Sequence, residues 1–156
     1  MEIPQFPMVG EDAPVALVTG GGRGIGRACA LRLAHAGYQV AVASRSLDEI
    51  DEVAGLIHAG GGRSLSAICD VTSEEGVERA LEATTRRLGP VRVLVNNAGQ
   101  AESVPFKDMT AAQFRAMIDV NLVGTFLCTH AVIPGMLERG AGRIINIAST
   151  AGLTGF

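Results

Sequence analysis

Five short apolar runs alternate with longer segments of helical pattern along the 156-residue chain. The runs are VALVT (15–19), QVAVAS (39–44), SLSAIC (64–69), VRVLV (91–95) and RIINIA (143–148). Their apolar character is nearly continuous rather than alternating, which is typical of strands covered on both faces of a parallel sheet. The pattern therefore predicts five parallel strands joined by helices.

The segments between the runs carry helix start and stop signals. Three of them match the S/T-x-x-E/Q capping box, namely Ser46 with Glu49, Thr72 with Glu75, and Thr110 with Gln113. Glycines at 60–62, 89 and 140 mark helix ends. The order βαβαβαβαβ implies right-handed crossovers. We therefore expect an α/β fold with a doubly wound, Rossmann-like parallel sheet.

The glycine-rich run TGGGRGIG at 19–26 lies between the first strand and the first helix. Glycines there let the backbone turn tightly and let a pyrophosphate approach the helix N-terminus, where free N–H groups and the helix dipole attract negative charge. No GK[ST] follows, so the run is not a Walker-type loop. The alternative is a purely structural turn. The position inside a βαβ unit favours a phosphate-binding turn.

Composition limits the partners of the chain. A formal net charge of −3 and a pI near 5.6 give no basic surface for nucleic acid or a membrane. We expect no membrane-spanning run and no secretory signal. Cys29, Cys69 and Cys128 have no metal-ligand spacing, so we expect small core residues, no metal site and a cytoplasmic location.

The expected domain organisation is simple. Residues 1–14, MEIPQFPMVGEDAP, predict a flexible N-terminal tail. Residues 15–156 predict one nucleotide-binding domain.

Several motifs occur in a fixed order after the first strand. They are the T-G-x-x-x-G-x-G spacing from Thr19, CDVTS (69–73), NNAG (96–99), VNLVG (120–124) and IINIASTAG (144–152). Together they resemble the short-chain dehydrogenase/reductase family across nearly the whole chain. The family's sheet has further strands, so the resemblance implies a sheet truncated after strand five and a domain 15–156 that is incomplete at its C-terminus. The resemblance implies an NAD(P)-binding oxidoreductase, with a cofactor site formed by Thr19, Gly20, Gly22, Arg23, Gly24, Ile25, Gly26, Ser44, Arg45, Asp70, Val71, Asn97, Ala98 and Gly99.

The resemblance also implies roles for single residues. Asp70 is expected to contact the adenine, although it could instead cap the next helix. Asn97 and its neighbours border the nicotinamide ribose, although Asn96 and Asn97 could form a simple turn. Asn121 orders a water in a proton relay, and Ser149 is the catalytic serine. Ser149 could also cap a helix, and it lacks the G-x-S-x-G context of a hydrolase nucleophile.

The end of strand two predicts which cofactor is preferred. NAD sites place an acid there to bind the ribose 2′-OH, but Ser44 stands at that position with Arg45 beside it. The Arg45 guanidinium can form charge-assisted hydrogen bonds with a phosphate, and Arg23 adds a second guanidinium. Asp48 and Glu49 are interpreted as first-turn acids that suit a helix dipole. NADP(H) is therefore predicted over NAD(H), with a solvated surface Arg45 as the alternative.

The family's Y-x-x-x-K pair has no counterpart here. Tyr38 and Lys107 are the only residues of their types and lie far from Ser149 in sequence. We expect residues 1–156 to be an inactive fragment of a reductase that acts on a small carbonyl or alcohol, with 3-oxoacyl-(acyl-carrier-protein) reductases as the most similar subfamily.

The helix containing Phe126 and Met136 resembles the family's tetramer interface, so the parent is expected to be a homo-oligomer. The alternatives are a non-catalytic dinucleotide-binding module and a fragment without ligand affinity.

Overall fold

A computed structural model describes residues 4–150 of the chain. Five strands and five α-helices follow one another along these residues, and the last two helices both lie between the fourth and fifth strands. The strands are β1 (Val15–Thr19), β2 (Gln39–Ser44), β3 (Ser64–Ile68), β4 (Val91–Asn96) and β5 (Arg143–Asn146). The helices are α1 (Gly24–His35), α2 (Leu47–Ala59), α3 (Glu74–Arg87), α4 (Ala111–Ile118) and α5 (Gly124–Glu138). A 3₁₀ turn at Phe106–Asp108 and a π-helical segment at Asp119–Val123 complete the described elements.

All five strands are parallel, in the order β3-β2-β1-β4-β5. The chain moves outward from β1 through β2 to β3, then crosses to the other side of β1 to form β4. This reversal makes β1 and β4 the point at which ligands bind in open α/β sheets, outside the carboxyl ends of the strands. The predicted doubly wound fold is confirmed. Strands three and five end one and two residues earlier than the sequence predicts.

Two apolar clusters cover the two faces of the sheet. Ala16 and Val18 face one cluster with α1 and α2, whereas Val15 and Leu17 face the other with α3 and α5. The nearly continuous apolar runs of β1, β2 and β4 arise because side chains on both faces are buried. Burial of each such aliphatic side chain contributes about 1.5–3 kcal/mol, so the central strands rigidly position the loops that follow them.

The edge strand β5 is less covered than the centre. Its residues are mostly exposed, and Ile145 retains 39% of its accessible surface. On the neighbouring helix α5, Cys128, Val132 and Met136 form a buried stripe, whereas Phe126 is 59% exposed. Met136 therefore belongs to the core of this chain. Its position on the helix points it at the sheet.

The helical stretch Ala111–Glu138 has the length and apolar composition of a membrane span. Core helices of soluble proteins pass the same test. Its α5 part packs on the sheet through the buried stripe, as a core helix does.

The described part of the N-terminal segment packs on the domain. Phe6 is buried, and its N–H donates to the carbonyl of Gly60 at the end of α2 (2.8 Å). The side-chain amide of Gln39 donates to the carbonyls of Glu11 (2.9 Å) and Ala13 (2.8 Å). The division at residue 14 and the flexibility of residues 1–14 stay predictions, but this anchoring was not expected from the sequence.

Two of the three predicted capping boxes are wrong. Ser46 is the N-cap of α2 but its side chain makes no capping bond. Ser73, not Thr72, is the N-cap of α3, and its hydroxyl accepts from the N–H of Gly76. The Thr72 hydroxyl instead donates to the Asp70 carboxylate.

Candidate cofactor and active site

The glycine turn joins β1 to α1 at the carboxyl edge of the sheet. Gly20 has φ +60°, and a Cβ there would lie 2.9 Å from the Cα of Ala98. A Cβ on Gly26 would lie 2.2 Å from the carbonyl oxygen of Gly20. Gly20 and Gly26 are therefore required because the turn, the helix start and the NNAG segment approach one another too closely for side chains.

A hydrogen-bonded clasp ties the glycine turn to the end of β4. The buried hydroxyl of Thr19 donates to the carbonyl of Val95 (3.3 Å) and accepts from the N–H groups of Asn97 and Ala98 (both 3.1 Å). The side-chain amide of Asn97 donates to the carbonyls of Thr19 and Gly20 (both 3.0 Å). Asn97 thus shapes the phosphate-binding turn from the neighbouring strand.

The N-terminus of α1 is open to an anion. Its N-cap, Arg23, makes no side-chain capping bond, and its first turn contains no acidic residue. The first turns of α2 and α3 each contain two acids. A Cβ on Gly24 would meet nothing within 4 Å, so solvent reaches the helix end. The unpaired N–H groups and the dipole of α1 can therefore hold a phosphate.

A cleft of about 470 Å³ opens beside this helix end. Nine of the predicted cofactor-binding residues line it: Gly20, Arg23, Ser44, Arg45, Asp70, Val71, Asn97, Ala98 and Gly99. The other five belong to the glycine turn or the start of α1 without lining the cleft: Thr19, Gly22, Gly24, Ile25 and Gly26. Ser46, Glu49, Cys69 and Val120 also line it and were not predicted.

Asp70 lies in the cleft wall at the end of β3. Its Oδ1 accepts from the N–H (3.0 Å) and the hydroxyl (2.8 Å) of Thr72. These two bonds, together with the nearby Arg45 guanidinium, lower the pKa of the Asp70 carboxyl. The carboxylate therefore stays ionised and fixed, with its second oxygen available to accept from a ligand.

Cys69 contributes an inert thiol to the same wall. Burial, with the neighbouring Asp70 charge, raises the pKa of the Cys69 thiol to about 11. Burial also raises the pKa of Cys128 to about 12. Both thiols remain protonated near neutral pH, in keeping with the prediction of small core residues. No cluster of possible metal ligands occurs among residues 4–150.

Asn121 lies in the π-helical segment between α4 and α5. Its Oδ1 accepts from the N–H of Gln100 (2.9 Å), and its Nδ2 donates to the carbonyl of the same residue (2.7 Å). The Asn121 side chain therefore holds the loop that follows NNAG. π-helical turns often occur at functional sites.

Ser149 lies three residues past the end of β5, at the same edge of the sheet. At this edge, Asn96 links β4 to the neighbouring β5. The Asn96 Nδ2 donates to Asn146 Oδ1 (2.9 Å) and to the Thr129 hydroxyl (3.0 Å). The Asn96 Oδ1 is buried without a hydrogen-bond partner among the described residues. Neither Ser149 nor Asn121 lines the nucleotide cleft. Sequence reasoning missed this Asn96–Asn146 link because it depends on strand register.

Comparisons with known proteins agree with this geometry. A family model described as short chain dehydrogenase matches residues 14–156. A 3-oxoacyl-[acyl-carrier-protein] reductase from Synechocystis is 42% identical over 144 residues, covering 92% of this chain and 58% of the relative. An acetoacetyl-CoA reductase from Shinella zoogloeoides is 43% identical, covering 90% of this chain and 57% of the relative. The chain therefore spans somewhat more than half the length of these relatives.

Solved structures extend the likeness to the fold. A variant of the actinorhodin polyketide ketoreductase, crystallised with NADPH, has a TM-score of 0.92 and 38% identity over 96% of this chain and 58% of its own. A 3-ketoacyl-ACP reductase from Sinorhizobium meliloti has a TM-score of 0.86 and 38% identity over 89% of this chain and 55% of its own. The glycine turn, the Thr19–Asn97 clasp and these matches together show that the chain belongs to the short-chain dehydrogenase/reductase family.

Proposed function

We propose that the cleft binds NADP(H) in preference to NAD(H). The observation that carries the proposal is the convergence of Arg23 and Arg45 on one cleft, beside Ser44 at the end of β2. A carboxylate at the Ser44 position would bind a ribose 2′-OH and repel a 2′-phosphate. Two guanidinium groups instead favour the phosphate through charge-assisted hydrogen bonds.

The residues present fit a dinucleotide. The glycine turn, in which Gly20 and Gly26 leave no room for side chains, brings backbone N–H groups of α1 close to a pyrophosphate. Asp70 and Val71 form the wall proposed for the adenine, and the segment Asn97–Gly99 forms the wall proposed for the nicotinamide ribose. Both walls line the same cleft as the two arginines.

We further propose that the whole protein is an oxidoreductase acting on a small carbonyl or secondary alcohol. The bound nicotinamide would supply or accept a hydride. The Ser149 hydroxyl would hold the substrate oxygen by a hydrogen bond, and Asn121 would keep the adjoining loop in place while ordering water for a proton relay. A 3-oxoacyl thioester is the proposed substrate, supported by the names of the relatives above.

Residues 1–156 by themselves are proposed to be inactive in carbonyl reduction. The proton donor of the family is a tyrosine activated by a lysine. Tyr38 precedes β2 at the amino edge of the sheet, opposite the cleft, and Lys107 lies in the 3₁₀ turn after β4. These two residues do not form the required pair. A non-catalytic dinucleotide-binding module is the alternative for this chain alone.

A homo-oligomeric parent in the cytoplasm is part of the same proposal. The exposed side chains of α4 and α5, including Phe114 and Phe126, support an apolar intersubunit face. We propose no nucleic-acid partner, since the net charge of −3 provides no basic surface.

The cofactor proposal is tested by titrating the chain with NADPH and NADH and following cofactor fluorescence. Arg45→Asp should weaken NADPH binding about tenfold or more, because a charge-assisted bond is lost and a repulsive charge is introduced. NADH binding should change little. Arg87→Asp, the same charge change at an exposed position in the last turn of α3, is the matched control.

Two results would contradict this part of the proposal. An unchanged NADPH-to-NADH ratio in Arg45→Asp would remove the basis for the phosphate preference. Binding of neither dinucleotide by the unmodified chain would remove the cofactor site itself. Separately, NADPH-dependent carbonyl reduction by purified 1–156 would contradict the proposed inactivity.

A further inference from the structure

Glu49, which the sequence pattern assigns to a helix capping box, has its carboxylate at the cleft. Glu49, in the first turn of α2, lines the cleft together with Arg23 and Arg45. It packs against the glycine turn, where a Cβ on Gly22 would lie 2.6 Å from the Glu49 Cβ and 3.2 Å from its Oε2. Gly22 thus leaves the space that the Glu49 side chain occupies.

The neighbouring acid behaves differently. Asp48 is in the same first turn, yet it is exposed and does not line the cleft, whereas Glu49 is half-buried. Both carboxylates can interact with the α2 dipole, so this interaction does not distinguish them. Of these two acids, only Glu49 adds a negative charge to the cleft wall, where Asp70 at the end of β3 supplies another.

The Glu49 charge is not neutralised by an ion pair among residues 4–150. The pairs found there are Arg27–Glu52, Arg63–Glu11, Arg79–Glu75 and Arg86–Glu82. Arg23 and Arg45 also form none of these pairs. The cleft therefore presents two positive charges, Arg23 and Arg45, and two negative charges, Asp70 and Glu49, to whatever binds between them.

We propose that Glu49 is a specificity-determining residue that limits the preference for a 2′-phosphorylated dinucleotide. The inference rests on the proposed NADP(H) site. A phosphate monoester carries about 1.5–2 negative charges at pH 7 and is repelled by the Glu49 carboxylate, whereas a ribose hydroxyl is not. Glu49 thereby offsets part of the attraction from Arg23 and Arg45 and keeps binding of NAD(H) competitive.

The test compares Glu49→Gln with Asp48→Asn in fluorescence titrations with NADPH and NADH. Glu49→Gln keeps the shape of the side chain and removes its charge, so NADPH should bind about threefold to tenfold more tightly and NADH within about twofold of the unmodified chain. Asp48→Asn removes a charge from the same helix turn and should leave both affinities unchanged. Raising the salt concentration should shrink the effect of Glu49→Gln, because screening weakens repulsion at a solvent-filled cleft.

Each outcome bears on a separate claim. Equal NADPH-to-NADH ratios in Glu49→Gln and Asp48→Asn, while the unmodified chain binds NADPH, would overturn this inference alone. Failure of the unmodified chain to bind NADPH would overturn the proposed function and this inference with it. Glu49→Ala, checked for folding by circular dichroism, provides a second variant and should shift the ratio in the same direction as Glu49→Gln.

Discussion

At the scale of single residues, one buried hydroxyl joins the two halves of the cofactor site. The Thr19 hydroxyl forms hydrogen bonds with Val95, Asn97 and Ala98 at the end of β4. The Asn97 side chain donates two hydrogen bonds to the glycine turn. The sequence places TGGGRGIG and NNAG in the same family pattern, but their contact is long-range, across 78 residues between Thr19 and Asn97. Only strand order brings them side by side.

Loss of the Thr19 hydroxyl is predicted to destabilise the domain. Thr19→Val keeps the side-chain shape but leaves the N–H groups of Asn97 and Ala98 without their acceptor. The free energy of unfolding should fall by about 1–3 kcal/mol, the cost of buried unpaired polar groups. Urea unfolding followed by circular dichroism measures this loss.

The matched control for this prediction is Thr84→Val. Thr84 is also buried, but within residues 4–150 its hydroxyl donates only to the Ala80 carbonyl in α3 and accepts from no N–H group. A smaller loss is expected. Equal losses in the two variants would show that the clasp contributes nothing beyond an ordinary buried hydroxyl.

At the scale of elements, similar capping sequences behave differently at two helices. Thr110 forms a full capping box at α4, accepting from the N–H of Gln113 while the Gln113 side chain accepts from the N–H of Thr110. The Ser46 side chain makes no capping bond at α2. The Ser46 backbone instead bonds to the hydroxyl of Ser44, and Glu49 faces the cleft. At α2 the Ser46 N–H donates to Ser44, so the half of the capping box in which Glu49 would accept from that N–H does not form.

Removal of the two cap side chains should therefore have unequal effects. Thr110→Ala is predicted to cost about 1 kcal/mol, because N–H groups in the first turn of α4 lose their acceptor. Ser46→Ala should change the free energy of unfolding little, because Ser46 bonds to Ser44 through its backbone and not through its side chain. Hydrogen exchange of the α4 amides and urea unfolding measure the two effects. A larger loss in Ser46→Ala would contradict the assignment.

At the scale of the whole molecule, the described N-terminal residues fasten the edge of the sheet opposite the cleft. Phe6 completes the apolar cluster of α1 and α2, and Gly60 makes room for it, since a Cβ there would lie 2.4 Å from the Phe6 ring. The buried Gln39 binds this segment to the carbonyl of Leu88 and accepts from Arg63. These contacts lie at the amino ends of β2 and β3, away from the cofactor site.

Truncation of Phe6 should reduce stability without changing the cofactor site. Phe6→Ala is predicted to cost about 3 kcal/mol because it leaves a cavity in the apolar cluster. Phe106→Ala, the same change at a side chain that is 89% exposed, should cost little. Urea unfolding gives both values. Similar stability of the two variants would mean that residues 4–14 do not fasten the domain.

The sequence by itself determined the fold class, and its resemblance to the family named most of the residues around the glycine turn. It could do so because continuous apolar runs report burial on both faces and because glycine is needed wherever backbones approach closely. These are local properties. The five predicted strands depended on such properties, whereas the nine of the fourteen predicted residues that line the cleft followed from the resemblance of the motifs to the family.

Tertiary structure alone decided which groups meet across the sheet. It turned Glu49 into the cleft, bonded Asn121 to Gln100, set Asn96 beside Asn146 and buried Met136 and Phe6. Each of these contacts joins residues far apart in sequence or depends on which side of a helix faces the sheet. Such contacts arise from strand register and helix rotation, which follow from packing the whole domain rather than from any local pattern.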